Sequence, residues 1–118
     1  MQTLGELERA VMDVVWSADV PLTAYDVRDQ LAAEERVLAA TTVLTVLSRL
    51  EKKGVVTSDR RTRPHHYAPV ASRAEHMAEL MHEVLGGVGD RAAVLERFVG
   101  GVSAEDAAVL RQLLRDTT

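Results

Sequence analysis

The sequence has no cysteine, few aromatic residues and no long apolar run. Without thiols the chain cannot form disulfides, zinc ribbons, thiolate copper sites or a cysteine nucleophile. Aromatic residues make up 3% of the chain and hydrophobic residues 47%, so the core must consist mainly of valine, leucine and alanine. No apolar stretch approaches the roughly 20 residues that a membrane-spanning helix needs, and residues 1–16 lack the apolar core of a signal peptide. We therefore expect a soluble, cytoplasmic protein without membrane insertion.

Charge is distributed unevenly along the chain, whose formal net charge is −4. Residues 1–48 have a net charge of −5, residues 49–63 one of +4 and residues 64–118 one of −3. A short basic segment in an acidic chain usually has a polyanion as its partner. The alternative is a solvated cluster of surface charges with no partner.

Four patterns in the sequence predict the starts of helices. Each has a serine or threonine three residues before an acid, as in a capping box, namely Thr3–Glu6, Thr23–Asp26, Ser72–Glu75 and Ser103–Asp106. Apolar periodicity predicts a first helix over about Leu4–Trp16, a second after Thr23, and three more in the C-terminal part. Val20 and Leu22 flank Pro21 and suit only a very short edge strand.

The threonine-rich segment Ala40–Lys53 is ambiguous by residue propensity, because β-branched residues favour strands. Its periodicity predicts a helix. At about 100° per residue, Val43, Val46, Leu47 and Leu50 share one face and the hydroxyl and basic residues share the other. "VVTSD" and "HHYAPV" then flank the basic segment "RRTRP" and predict a β-hairpin.

The order of three helices and a hairpin is typical of a winged helix-turn-helix, with Ala40–Lys53 as the recognition helix. We therefore predict a mainly α protein with a small β-hairpin, and a DNA-binding domain over residues 1–70. Hydroxyl and basic residues on the recognition helix can contact bases and phosphates, and basic residues at the wing tip can contact the DNA backbone. The predicted DNA-binding residues are Thr41, Thr42, Thr45, Ser48, Arg49, Lys52, Arg60, Arg61, Arg63 and His65.

Residues 71–118 form a second region of three predicted helices with glycines at their joints. A segment this small rarely buries enough apolar surface to stand alone, so a second copy across a two-fold axis is the simplest partner. Packing against the N-terminal part is the alternative. The predicted dimerisation residues are Met77, Leu80, Met81, Val84, Leu85, Phe98, Leu110, Leu113 and Leu114.

Other classes of function have less support in the sequence. The histidines form no recognised catalytic spacing and there is no glycine-rich phosphate loop, so we do not expect an enzyme. A metal-responsive repressor is the main alternative, with His76, Glu79, His82 and Glu83 as nitrogen and oxygen ligands on one helix. The wet face of an amphipathic helix explains the same four residues. No cofactor or resident metal is predicted.

The segments "LGELERAVMDVVW", "TAYDV", "TTVLTVLSRLEKKGVV", "HHYAPV" and "LERFVGG" occur in the order found in one known family. Together they cover almost the whole chain, which resembles the BlaI/MecI/CopY family of bacterial transcriptional repressors. The resemblance implies a winged-helix domain that binds dyad-symmetric operators in double-stranded DNA, and C-terminal helices that form a homodimer. It also implies control of β-lactam-resistance or related stress genes.

The resemblance further implies a way in which the repressor is released. In the best-known members, a membrane receptor that detects β-lactams leads to cleavage of the repressor at an Asn-Phe bond in the dimerisation region. The matching position in this sequence is Arg97–Phe98, which keeps the phenylalanine and replaces the asparagine. A membrane sensor-protease is thus a further implied partner. The cysteine pairs of the copper-responsive members have no counterpart here.

Overall fold

A computed structural model describes residues 4–117 and contains, within that range, six helices and one two-stranded sheet. The elements are α1 (Glu6–Ser17), α2 (Ala24–Ala33), α3 (Ala40–Lys52), β1 (Val56–Asp59), β2 (His66–Pro69), α4 (Arg73–Gly86), α5 (Arg91–Gly100) and α6 (Ala104–Asp116). The described residues form two compact units, divided between Leu80 and Met81. Among the described residues, no helix combines the length and the apolar composition needed to cross a membrane.

Side-chain caps define most of the helix starts that the sequence predicts. Thr23 accepts a hydrogen bond from the Asp26 N–H at 3.1 Å, and the Asp26 carboxylate accepts one from the Thr23 N–H at 2.9 Å. Ser72 and Glu75 form the same reciprocal pair, and Ser103 caps α6. These contacts satisfy amides that have no partner within the helix.

The start of α1 differs from the prediction. The helix begins at Glu6 with Gly5 as its N-cap, two residues after the predicted start at Leu4. Glu8 takes the place expected of Glu6, because its Oε1 accepts a hydrogen bond from the Gly5 N–H at 2.9 Å. The predicted partner Thr3 lies outside the described residues.

In the first unit, α1, α2 and α3 pack around an aliphatic core. The helical prediction for α3 is confirmed, and Val43, Val46, Leu47 and Leu50 are all at most 2% exposed. They meet Val11, Met12 and Val15 of α1 and Val27 and Leu31 of α2 in one cluster. Burial of this stripe outweighs the weak helix propensity of the threonines, and it leaves the opposite face of α3 toward solvent.

The predicted hairpin is also confirmed and is attached to the helices. After α3, Gly54 has a φ of +77°, a conformation that favours glycine, and the chain turns there toward β1. β1 and β2 are antiparallel, with Val56 opposite Pro69 and Asp59 opposite His66. Leu22 exchanges two backbone hydrogen bonds with the buried Tyr67, at 2.9 and 2.7 Å, and so supplies the short edge strand. The hairpin is thereby held beside the three helices as a wing.

The first turns of α4 pack against α1. Trp16 Nε1 donates a hydrogen bond to the Ala71 carbonyl at 3.1 Å, and the Arg73 guanidinium lies 5.5 Å from the centroid of the Trp16 rings. His76 is buried beside the same rings, with its ring centroid 5.3 Å away. The prediction that His76 lies on the solvent-exposed face of the helix is therefore wrong. The first compact unit includes this part of α4 and extends to Leu80.

The second unit has amphipathic helices without a buried core of its own. None of its described residues, 81–117, is buried. Phe98 is 51% exposed and Leu114 is 66% exposed. A groove of about 220 Å³ is lined only by apolar side chains, those of Met81, Val84, Leu85, Val94, Leu95 and Phe98. Apolar helix faces that a single chain leaves this open are typical of interaction surfaces.

Candidate nucleic-acid interface

The solvent-exposed face of α3 has the polar residues that the sequence predicts there. Thr41, Thr45, Ser48, Arg49 and Lys52 are exposed, and Thr42 is half-buried. The Thr45 hydroxyl donates a hydrogen bond to the Thr41 carbonyl at 2.9 Å, so its oxygen points outward as an acceptor. The face thus offers short hydroxyl side chains near the start of the helix and two cations near its end.

Two arginines of the wing are held by carboxylates. The Arg60 guanidinium lies 3.0 Å from Glu51 Oε1, and the Ser58 hydroxyl donates to Glu51 Oε2 at 2.6 Å. These contacts, with that of Ser58 the largest, lower the pKa of Glu51. Arg61 makes a two-pronged contact with Asp59 at 3.0 Å for each nitrogen, and hydrogen bonds from Arg61 lower the pKa of Asp59 to about 2. Both carboxylates are therefore anionic at neutral pH.

A third cation of the basic segment is paired with α1. Lys53 Nζ lies 2.7 Å from Glu8 Oε1, and this hydrogen bond is the main cause that lowers the pKa of Glu8. Within residues 4–117, Arg49, Lys52 and Arg63 have no ion pair with a carboxylate. The net charge of residues 49–63 is thus larger than the number of cations in that segment that could contact a new anion without first leaving a carboxylate. Sequence reasoning missed these pairs, although both Glu51 and Asp59 lie within the segment.

The end of the wing lies next to α3. Arg63, Pro64 and His65 line a notch of about 190 Å³ together with Tyr25 of α2 and Leu44 of α3, and with Ala24 and Tyr67 at its sides. Two of the predicted wing residues, Arg63 and His65, therefore lie beside Leu44 of α3, whereas Arg60 and Arg61 line a separate pocket with Pro21 and residues of the two strands. Tyr25 and Leu44 were not predicted as site residues. Their side chains are 46% and 41% exposed.

Of the four residues considered for a metal site, His76 and Glu79 line one pocket with Lys53, and His82 and Glu83 do not line it. The described part of the chain contains no group of three or more histidine or carboxylate side chains arranged to hold a metal ion. His76 packs against Trp16, whereas Glu79, His82 and Glu83 are exposed further along α4. The metal-responsive alternative, in which a dimer would bring two such sets of ligands together, therefore stays a prediction.

Because Arg61 of the wing is paired with a carboxylate, removal of that carboxylate should strengthen DNA binding. Asp59→Asn deletes the charge that holds Arg61, and we expect it to raise the affinity for duplex DNA by up to about fivefold, the range of an exposed ion pair. Fluorescence anisotropy of a labelled duplex at low salt would measure the change. Asp13→Asn removes a carboxylate that contacts Arg9 and Arg73 on α1 and α4, and it is the matched control. An equal gain in both variants would mean that only total charge matters.

Comparison with known proteins places the chain in a family. The sequence model described as "Penicillinase repressor" matches residues 4–116. Two proteins named "Transcriptional regulator BlaI", from two strains of Mycobacterium tuberculosis, are each 47% identical over 116 residues, which cover 96% of this chain and 83% of theirs. The solved complex structure of hsRosR-S4 superposes with a TM-score of 0.54 at 17% identity, over 92% of this chain and 94% of that chain, and it supports the fold alone. The chain therefore belongs to the penicillinase repressor family, the BlaI/MecI/CopY group of transcriptional regulators, and it is not an enzyme.

Proposed function

We propose that this regulator is a homodimeric repressor that binds a dyad-symmetric operator in double-stranded DNA and blocks transcription by occupying it. The observation that carries the proposal is that α3 has an exposed polar face and that the end of the wing lines a notch with Leu44 of the same helix. A helix with an exposed polar face fits the major groove, and a basic hairpin beside it can follow the backbone or the adjacent minor groove. In the dimer, two copies of α3 enter successive major grooves about one helical turn apart.

The residues of this surface divide into two roles. Thr41, Thr42, Thr45, Ser48 and Arg49 contact base edges or the phosphates that flank them, and Lys52, Arg60, Arg61, Arg63 and His65 contact the backbone. Contacts to phosphates fix the position of a protein on DNA, whereas contacts to base edges discriminate between sequences. Arg60 and Arg61 must exchange carboxylate partners for phosphates, but Arg63 has no such partner among the described residues.

The apolar faces of the C-terminal helices support the dimer. In the single chain, the aliphatic and aromatic side chains that line the groove of the second unit are in contact with water. A second copy can bury them, and a two-fold axis presents the same surface from both partners. The proposed interface consists of Met77, Leu80, Met81, Val84, Leu85, Phe98, Leu110, Leu113 and Leu114, to which the structure adds Val94, Leu95 and Val99 as exposed apolar residues of α5.

Family resemblance extends the proposal to the regulated genes and to release of the repressor. The genes would serve β-lactam resistance or a related stress response, and a membrane sensor-protease would lead to cleavage of the Arg97–Phe98 bond. This bond lies in α5, and Phe98 lines the apolar groove. Cleavage there would separate residues 98–118 from the remaining lining residues, and it would thereby weaken the proposed dimer.

The wing residue Arg63 provides the test of DNA binding. We expect Arg63→Ala to weaken binding to all duplexes and to reduce the slope of log affinity against log salt by about one unit per lost phosphate contact. Anisotropy titrations across a salt series would use a dyad duplex from upstream of the gene and a scrambled duplex. Arg9→Ala removes one positive charge outside the surface and should leave the slope unchanged. Equal and weak binding of the unaltered protein to both duplexes would contradict sequence-specific repression.

A further inference from the structure

One large apolar side chain of α3 faces solvent instead of the core. Leu44 is 41% exposed, whereas the other large apolar residues of the helix are at most 2% exposed. At about 100° per residue, Leu44 lies between the buried stripe and the polar face, close to Thr41 one turn before it and Ser48 one turn after it. Leu44 is not part of the core cluster of the first unit.

The surroundings of Leu44 form a defined apolar notch. Tyr25 and Pro64 line it together with Leu44, and its volume is about 190 Å³. Arg63 and His65 line the same notch from the wing, and the Arg28 guanidinium lies 5.1 Å from the centroid of the Tyr25 ring. An apolar patch is thus bordered by cations on the face that we assign to DNA.

The chemistry of the major groove restricts what such a patch can contact. Base edges there present hydrogen-bond donors and acceptors, and the C5 methyl group of thymine is the one apolar group among them. The bordering cations suit the phosphates on either side of a base pair. A small apolar ligand would make no favourable contact with these cations, whereas a thymine and its flanking phosphates use both parts of the notch.

We propose that the notch formed by Tyr25, Leu44 and Pro64 receives the methyl group of one thymine in each operator half-site, and that Leu44 is a specificity-determining residue. This inference rests on the proposed function. Burial of one methyl group changes affinity by about fourfold. Since the dimer meets two half-sites, the symmetric pair of thymines contributes roughly fifteenfold.

The test removes single methyl groups from DNA. A duplex selected by the full-length protein from a randomised pool is remade with deoxyuridine in place of each thymine, in symmetric pairs, and each version is titrated by anisotropy. For the unaltered protein we expect a loss of roughly fifteenfold at one pair. With Leu44→Ala the loss at that pair should disappear, while methyl sensitivity elsewhere is kept. Leu44→Met, which keeps an apolar side chain of similar volume, should retain the loss.

Two results would overturn the inference while the repressor function stands. One is a selected duplex in which no thymine pair is sensitive to methyl removal. The other is a sensitive pair whose loss is the same in the unaltered protein and in Leu44→Ala. If the pool yields no preferred duplex, sequence-specific binding itself fails, and the thymine contact fails with it. Circular dichroism of the Leu44 variants separates a lost contact from a lost fold.

Discussion

Replacement of Phe98 by lysine is expected to convert the protein into a monomer and to lower operator affinity by on the order of a hundredfold or more. Phe98 is 51% exposed in the single chain and lines the apolar groove of the second unit. In a two-fold interface the substitution introduces two ammonium groups into an apolar surface, where an unpaired charge is strongly unfavourable. A monomer binds one half-site alone and loses the high effective concentration of the second DNA-binding domain.

Sedimentation velocity at several protein concentrations would measure the assembly, and anisotropy on the dyad duplex would measure the affinity. Glu96→Lys is the matched control, because it introduces the same residue on the opposite side of α5, outside the groove. It should remain a dimer and bind the duplex at least as well as the unaltered protein. A dimeric Phe98→Lys protein would show that these helices associate through another face, or that the groove has another partner.

Local signals in the sequence were sufficient to predict most of the fold. The Thr23–Asp26 and Ser72–Glu75 caps depend on residues three positions apart, so the sequence contains both partners of each contact. The helical prediction for α3 succeeded because burial periodicity outweighed threonine propensity. The order of the elements then indicated a winged helix before any tertiary contact was known.

The features that the sequence did not predict depend on contacts between distant residues. Charge counting suggested an open basic segment, but Lys53 pairs with Glu8, 45 positions away. The burial of His76 depends on its packing against Trp16, and nothing in the α4 pattern indicates that partner. Leu44 was missed because its position between two helix faces becomes informative only when the wing is placed beside it. Such long-range pairs decide which charges and which apolar residues remain available on the surface.

The core beneath the recognition helix can be tested with the same change at two neighbouring positions. Leu47 is fully buried against α1 and α2, whereas Leu44, three residues earlier, is 41% exposed. We expect Leu47→Ala to lower the free energy of unfolding by about 2–5 kcal/mol, because it removes buried methylene contacts and leaves a cavity. Leu44→Ala should cost less than about 1 kcal/mol, since much of the side chain is already in water.

Urea titrations at one protein concentration would measure both variants, with fluorescence of Trp16, the single tryptophan of the chain, as the signal for the first unit. For DNA binding we expect the opposite order, with the larger effect from Leu44→Ala. In the absence of urea, the folded fraction of Leu47→Ala should keep every contact that is sensitive to thymine methyl groups. Leu44→Ala should lose the contact that involves its notch. Equal destabilisation by both variants would mean that Leu44 contributes to the core. Its position would then give no reason to expect a contact with DNA. A stable Leu44→Ala protein with an altered sequence preference would instead show that the two residues have different roles. Leu44 would contact DNA, and Leu47 would hold the helix in the core.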